Sequence, residues 1–134
     1  MNKVEAIELL HSKMSNQNLR KHCYAVGIAI GGIHDYLVSI GKKPIESREE
    51  WEVLGILHDS DYEITKDNWE KHTLLTLEWL IEYGYDENSS LYRAIQSHNN
   101  KRTNLREPQT QMEWALECVD ELTGFIVACA LVLP

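Results

Sequence analysis

The heptapeptide Leu57-His58-Asp59-Ser60-Asp61-Tyr62-Glu63 brings an imidazole, three carboxylates and a phenol together, directly after the apolar run Val53-Leu54-Gly55-Ile56-Leu57. A chain that leaves its core on a histidine beside an aspartate must compensate both groups, because a buried polar group without a partner costs roughly 2–7 kcal/mol. The fold therefore has to carry further partners to this stretch. A divalent cation would satisfy imidazole and carboxylate at once.

Around that stretch the apolar residues recur at helical spacing. Val4, Ile7, Leu10 and Met14 predict a helix over residues 3–14, and Ser15-Asn16-Gln17-Asn18 ends it and offers caps for the next. A second helix is expected over about 17–40, stopped at Gly41, with His22, Val26, Ala29 and Ile33 on its apolar side. His34-Asp35 repeats the dipeptide but lies well around that helix from His22. Ser47-Arg48-Glu49-Glu50 is a capping box that starts a third helix, striped by Trp51, Leu54, Gly55 and His58. A fourth, over about 67–83 and capped by Thr65 or Asp67, turns Trp69, His72, Thr76, Trp79 and Tyr83 inward. A fifth follows Asn88-Ser89-Ser90 with Leu91, Ala94, Ile95 and His98 on a common face. Residues 99–109 read as a polar loop, and Thr110-Gln111-Met112-Glu113 is a second capping box. The last helix aligns Leu116, Asp120, Thr123, Gly124, Val127 and Leu131, and its apolar tail from Leu122 to Pro134 is expected to be core. Trp51, Trp69 and Trp79 fit helix-packing positions and are assigned no ligand role. Nothing alternates with period two and nothing repeats, so the expectation is all-α, one domain over 1–134 with about six helices.

At 134 residues the chain can bury a core without disulfide staples. Its net charge of −8 argues against nucleic acid and against an anionic membrane surface as partners. It does not exclude a small anionic substrate, since a bound cation reverses the local field. Cys23, Cys118 and Cys129 are odd in number and form no CxxC, which reads as reduced, buried thiols in a cytoplasmic protein. Met1-Asn2-Lys3-Val4-Glu5 lacks the apolar stretch of a signal peptide, and the apolar tail is too short to span a bilayer.

His22, His58, His72 and His98 thus fall on the apolar faces of four different expected helices, with Asp59 beside one of them and Asp120 inside the stripe of the last. Any one of these alone is more often a hydrogen-bonded core residue. Six in one small core would need six separate satisfactions, whereas a shared metal centre accounts for all of them.

The order His22 … His58-Asp59 … Asp120 on an all-helical chain resembles the HD-domain metal-dependent phosphohydrolase superfamily. Asn18-Leu19-Arg20-Lys21-His22 is similar to its first motif. Leu57 to Glu63 and Asp120-Glu121-Leu122-Thr123-Gly124 resemble the forms found in one branch of small bacterial HD proteins. The likeness covers residues 17 to 131. It implies that His22, His58, Asp59 and Asp120 hold a first metal ion and that His72 and His98 complete a second site, with Asp59 as the bridge. It also implies a chain that continues past the last helix, so that the wall closing the pocket would here be absent or supplied by a partner chain, as in a homodimer.

The chemistry implied is hydrolysis of a phosphomonoester or nucleotide, with a metal-bound hydroxide as nucleophile and one or two ions of iron, manganese, zinc, nickel or magnesium. Asp61, two residues past the pair, is the candidate for orienting that hydroxide or protonating the leaving group, with a plain helix-end turn as its alternative. Arg20, Lys21, Lys71, Lys101 and Arg102 are candidate phosphate contacts, although for each a solvated surface charge is the commoner role. Two rival activities use the same ligand set: a di-iron HD-type oxygenase, and a non-catalytic nucleotide- or metal-binding sensor.

Overall fold

The computed structural model describes residues 1–132, and within them the chain is entirely helical. The order is α1 (Lys3–Lys13), α2 (Gln17–Ser39), α3 (Arg48–Leu57), α4 (Tyr62–Thr65), α5 (Leu74–Glu82), α6 (Ser90–His98), α7 (Asn100–Thr103) and α8 (Gln111–Val132). The four-residue α4 and α7 are single turns, which leaves six helices of substance, as the periodicity requires. No helix among the described residues is long and apolar enough to cross a membrane.

The helix starts follow local chemistry. Asn2 and Glu5 form a capping box on α1, Asn16 caps α2 through the Asn18 and Leu19 amides, and Ser47 with Glu50 boxes α3. Ser89 caps α6, and Thr110 and Glu113 cap α8 reciprocally at 3.2 Å. Gly41, at φ 80, ends α2 in the left-handed conformation that glycine adopts without a Cβ penalty.

Packing centres on α2 against α3. The buried face of α2 is Cys23, Val26, Gly27, Ile30 and Gly31. His22 therefore sits at the edge of the apolar face, about a quarter exposed, rather than within it. Gly27 and Gly55 meet where the two backbones touch: a Cβ on Gly55 would lie 2.5 Å from the Gly27 Cα and 2.6 Å from its nitrogen. Gly55 has to lack a side chain for that approach, and a Cβ on Gly27 would sit tightly against the Glu52 carbonyl at 3.0 Å. The core they anchor includes Leu10, Met14, Trp51, Leu54, Leu57, Leu80, Ile95, Met112 and Leu116.

Several expectations need correction. On α1 the buried positions are Ala6, Leu9 and Leu10 followed by Met14, while Val4 is exposed. The fourth helix starts at Leu74, not near residue 67, because Thr73 at φ 79 breaks helical continuity and residues 66–73 form turns. Its cap comes from neither Thr65 nor Asp67; the Asp61 carboxylate accepts the Thr76 amide from across the fold at 3.2 Å. Trp69 and Tyr83 are consequently half-exposed instead of inward. The loop over 99–109 contains the turn α7. The apolar tail is not core: Leu122, Phe125, Ile126 and Val127 are each more than half exposed, and Leu131's side chain and residues 133–134 lie outside the described residues. Cys23 is buried, but Cys118 is exposed and Cys129 only partly covered.

Gly55→Ala is expected to lower the urea midpoint with an unchanged slope, a loss of roughly 1–3 kcal/mol or more, since backbone rather than a flexible side chain must give way.

Candidate metal centre

Five separate pieces of chain deliver the cluster. His22 comes from the first turns of α2, and His58 is the C-cap residue of α3 with Asp59 directly after it. His72 comes from the turn before α5, His98 from the end of α6 and Asp120 from the middle of α8. The Glu63 carboxylate ties the first two pieces together, accepting from the Ser15 amide at 2.6 Å, the Ser15 hydroxyl at 2.7 Å and the Asn16 amide at 3.1 Å. It braces the start of α2 against the loop that carries Asp59.

The two oxygens of Asp59 face different partners. Oδ2 lies 3.6 Å from His22 Nε2 and 3.5 Å from His58 Nε2, whereas Oδ1 lies 3.1 Å from His72 Nε2 and 3.3 Å from His98 Nε2. Asp120 Oδ1 lies 2.9 Å from His22 Nε2 and 3.3 Å from His58 Nε2. Two sets of donor atoms result, His22, His58, Asp59 and Asp120 in one and Asp59, His72 and His98 in the other, each with its donor atoms within 4.8 Å of one another. Either set could hold a metal ion.

The donor chemistry fits a cation. His58 Nδ1 lies 2.8 Å from the Gly55 carbonyl, which can only accept, so Nδ1 donates. His72 Nδ1 likewise donates to Asp61 at 2.8 Å. In the neutral rings Nε2 then turns a lone pair toward carboxylate oxygens, an arrangement that repels unless a proton or cation lies between. These outer partners are also what fixes ring orientation in histidine metal sites. His98 Nδ1, by contrast, is buried with no protein partner.

Without a cation the cluster attracts protons instead. Burial lowers His72, but hydrogen bonds from Asp59 and Asp61 outweigh it and push the imidazole up to about 9. His58, fully buried, is raised by Asp59 and Asp120 against the same burial penalty. Burial works to raise Asp59 and Asp120; His58, His72 and His98 nevertheless hold Asp59 well below the carboxylate range, and His22 and His58 do the same for Asp120.

The six expected ligand residues thus come together, and the other site candidates do not join them. Asp61 is completely buried behind His72, with both oxygens engaged by His72 and the Thr76 amide, so it holds a histidine in place and does not face the open side of the cluster. The Arg20 guanidinium donates to the Met14 and His11 carbonyls at the end of α1. Lys21 and Lys71 are exposed. Lys101 lines the cleft over the cluster, 3.2 Å from Glu117 and 3.7 Å from Glu121, and Arg102 lies farther out beside Asp67 and Trp69. The cleft, of about 210 Å³, is also lined by Tyr62, Trp69 and Asn99. Periodicity placed Trp69 on the inward face of a helix that starts only at Leu74, and it gives no orientation for Tyr62 on a single turn or for Asn99 at a helix end. His34 packs edge-on against Trp51, apart from the cluster. No family model, curated protein or solved structure matches this chain.

The metal-free protein should be most stable between about pH 4 and 6.5. The raised His72 contributes fully below its unfolded value of 6.5 and loses that contribution as pH climbs through about 9. The lowered Asp59 and Asp120 contribute above their ordinary 3.8 and lose it as pH falls. Thermal melts of chelator-treated protein across this range check the prediction; a flat profile from 6.5 to 9 would contradict it.

Proposed function

We propose that this protein is a metal-dependent phosphohydrolase of the HD-domain type, acting on a phosphomonoester or nucleotide at a two-ion centre. The observation that carries the reading is the division of labour within Asp59, one oxygen to each histidine pair. A single structural ion would not need that bridge, nor a second pair of imidazoles on its far side. His22, His58 and Asp120 would hold the first ion, His72 and His98 the second, and Asp59 both.

Bound divalent ions supply Lewis-acid charge at the phosphate oxygens and lower the pKa of water to the neutral range. The chain supplies the rest. Gly55 and Asp61 fix the orientation of the His58 and His72 rings, one ring in each donor set. Asp59 and Asp120 stay ionised across the physiological range and offset the ions' charge. Lys101 lines the cleft together with Glu117 and Glu121, which pair with it, so the positive charge an anionic substrate needs there would come from the bound ions. The net charge of −8 is then no obstacle to an anion, because the field that matters is local.

The test is to strip the protein with chelator and reload it with manganese, iron, zinc, nickel or magnesium. Each form is then screened against nucleotides and sugar phosphates, with the iron form also run under air. Asp59→Ala is expected to lose both ions and all turnover. Asp61→Asn is expected to weaken only the ion at His72 and His98, by roughly 10–100-fold, leaving the other in place. Turnover confined to iron with dioxygen would make the protein an oxygenase instead, and a single equivalent of metal without turnover would make it a sensor.

A further inference from the structure

We propose that Trp69 is the specificity-determining residue of this site and that it selects a nucleoside monophosphate by stacking on its base. The inference rests on the phosphohydrolase reading and narrows its substrate class. Trp69 is 51% exposed, on a chain that buries Trp51 completely. Its place is nonetheless fixed: the Asn99 side-chain amide donates to the Trp69 carbonyl at 2.8 Å and to the His72 carbonyl at 3.0 Å, so one group references the indole's backbone to a candidate ligand. Tyr62 meets the indole edge to face at 5.7 Å and 70°, and meets His72 at 5.6 Å and 85°. Tyr62 thereby joins the tryptophan to the cluster as one aromatic wall.

Trp69 borders two spaces. One is the cleft over Asp59, His72 and His98; the other is a shallow groove of about 490 Å³ with Asp67, Glu70, Lys101 and Arg102 on its rim. The cleft and the groove meet at the indole, so a leaving group attached to a phosphate at Asp59 and His72 can extend past Trp69 into the groove. A planar base can stack there, an interaction tolerant of base identity. Asp67 and Glu70 can accept hydrogen bonds from ribose hydroxyls or ring amines.

The test compares AMP with ribose 5-phosphate on manganese-loaded protein by kcat and KM, and compares non-hydrolysable phosphonate analogues of both by calorimetry. Wild type is expected to favour the adenosine ligand by roughly tenfold or more in KM and in phosphonate affinity. Trp69→Ala should cost the adenosine ligand roughly tenfold more than it costs ribose 5-phosphate, so that the preference collapses, and Trp69→Phe should retain most of it. Equal affinity of wild type and Trp69→Ala for the adenosine phosphonate, or an equal loss for both ligands, would overturn the proposal. Trp69-dependent binding of the phosphonates without any hydrolysis would overturn the hydrolase reading alone.

Discussion

The close approach of two backbones at Gly27 and Gly55 sets the geometry on which the cluster depends. Helices whose facing residues carry side chains stand about 8–10 Å apart at their axes, and every added methylene moves them further. Gly55 lies one turn before His58 on α3, and Gly27 lies five residues beyond His22 on α2. The contact therefore fixes how near the two imidazoles come, and their ring centres lie 5.2 Å apart. Gly55 acts twice, since its carbonyl also receives the His58 Nδ1 proton. One residue thus controls both the distance between these rings and the orientation of one of them.

From that contact outward the structure is a sequence of polar satisfactions around Asp59. Asp61 and Glu63 look in sequence like companions of the His-Asp pair, and both serve it at one remove. Asp61 orients His72 and caps α5 with its other oxygen, and Glu63 ties the start of α2 to the loop. Asp59, Asp61 and Asp120 are tolerable in a chain of net charge −8 because each is matched locally by imidazole or backbone amide rather than by distant charge. The same matching draws protons to the cluster and would admit cations in their place.

Most of the helical frame was legible, because periodicity and capping boxes are local. Ser47 with Glu50 and Thr110 with Glu113 mark their helix starts to the residue. The stretch before α5 was misread for a physical reason. Its apolar spacing is compatible with helix, and only the capture of the Thr76 amide by Asp61, fifteen residues earlier, decides that the helix begins at Leu74. That displaced start is what leaves Trp69 on a turn at the mouth of the cleft. The end of α8 shows the opposite limit: its stripe is genuine at Leu116, but hydrophobicity alone does not supply something to pack against, and beyond Asp120 the apolar residues stay exposed.

The sequence alone determined that this chain is helical and that six histidine and aspartate side chains, each on or beside an apolar stripe, had to be compensated. Those conclusions follow from hydrogen bonding and burial within one or two turns, which residue order encodes directly. Only the tertiary structure decided that the six converge as two sets sharing Asp59, that Asp61 stands behind a histidine and that Trp69 faces outward. Those outcomes depend on how closely α2 and α3 approach and on contacts between residues far apart in the chain, which no local pattern records.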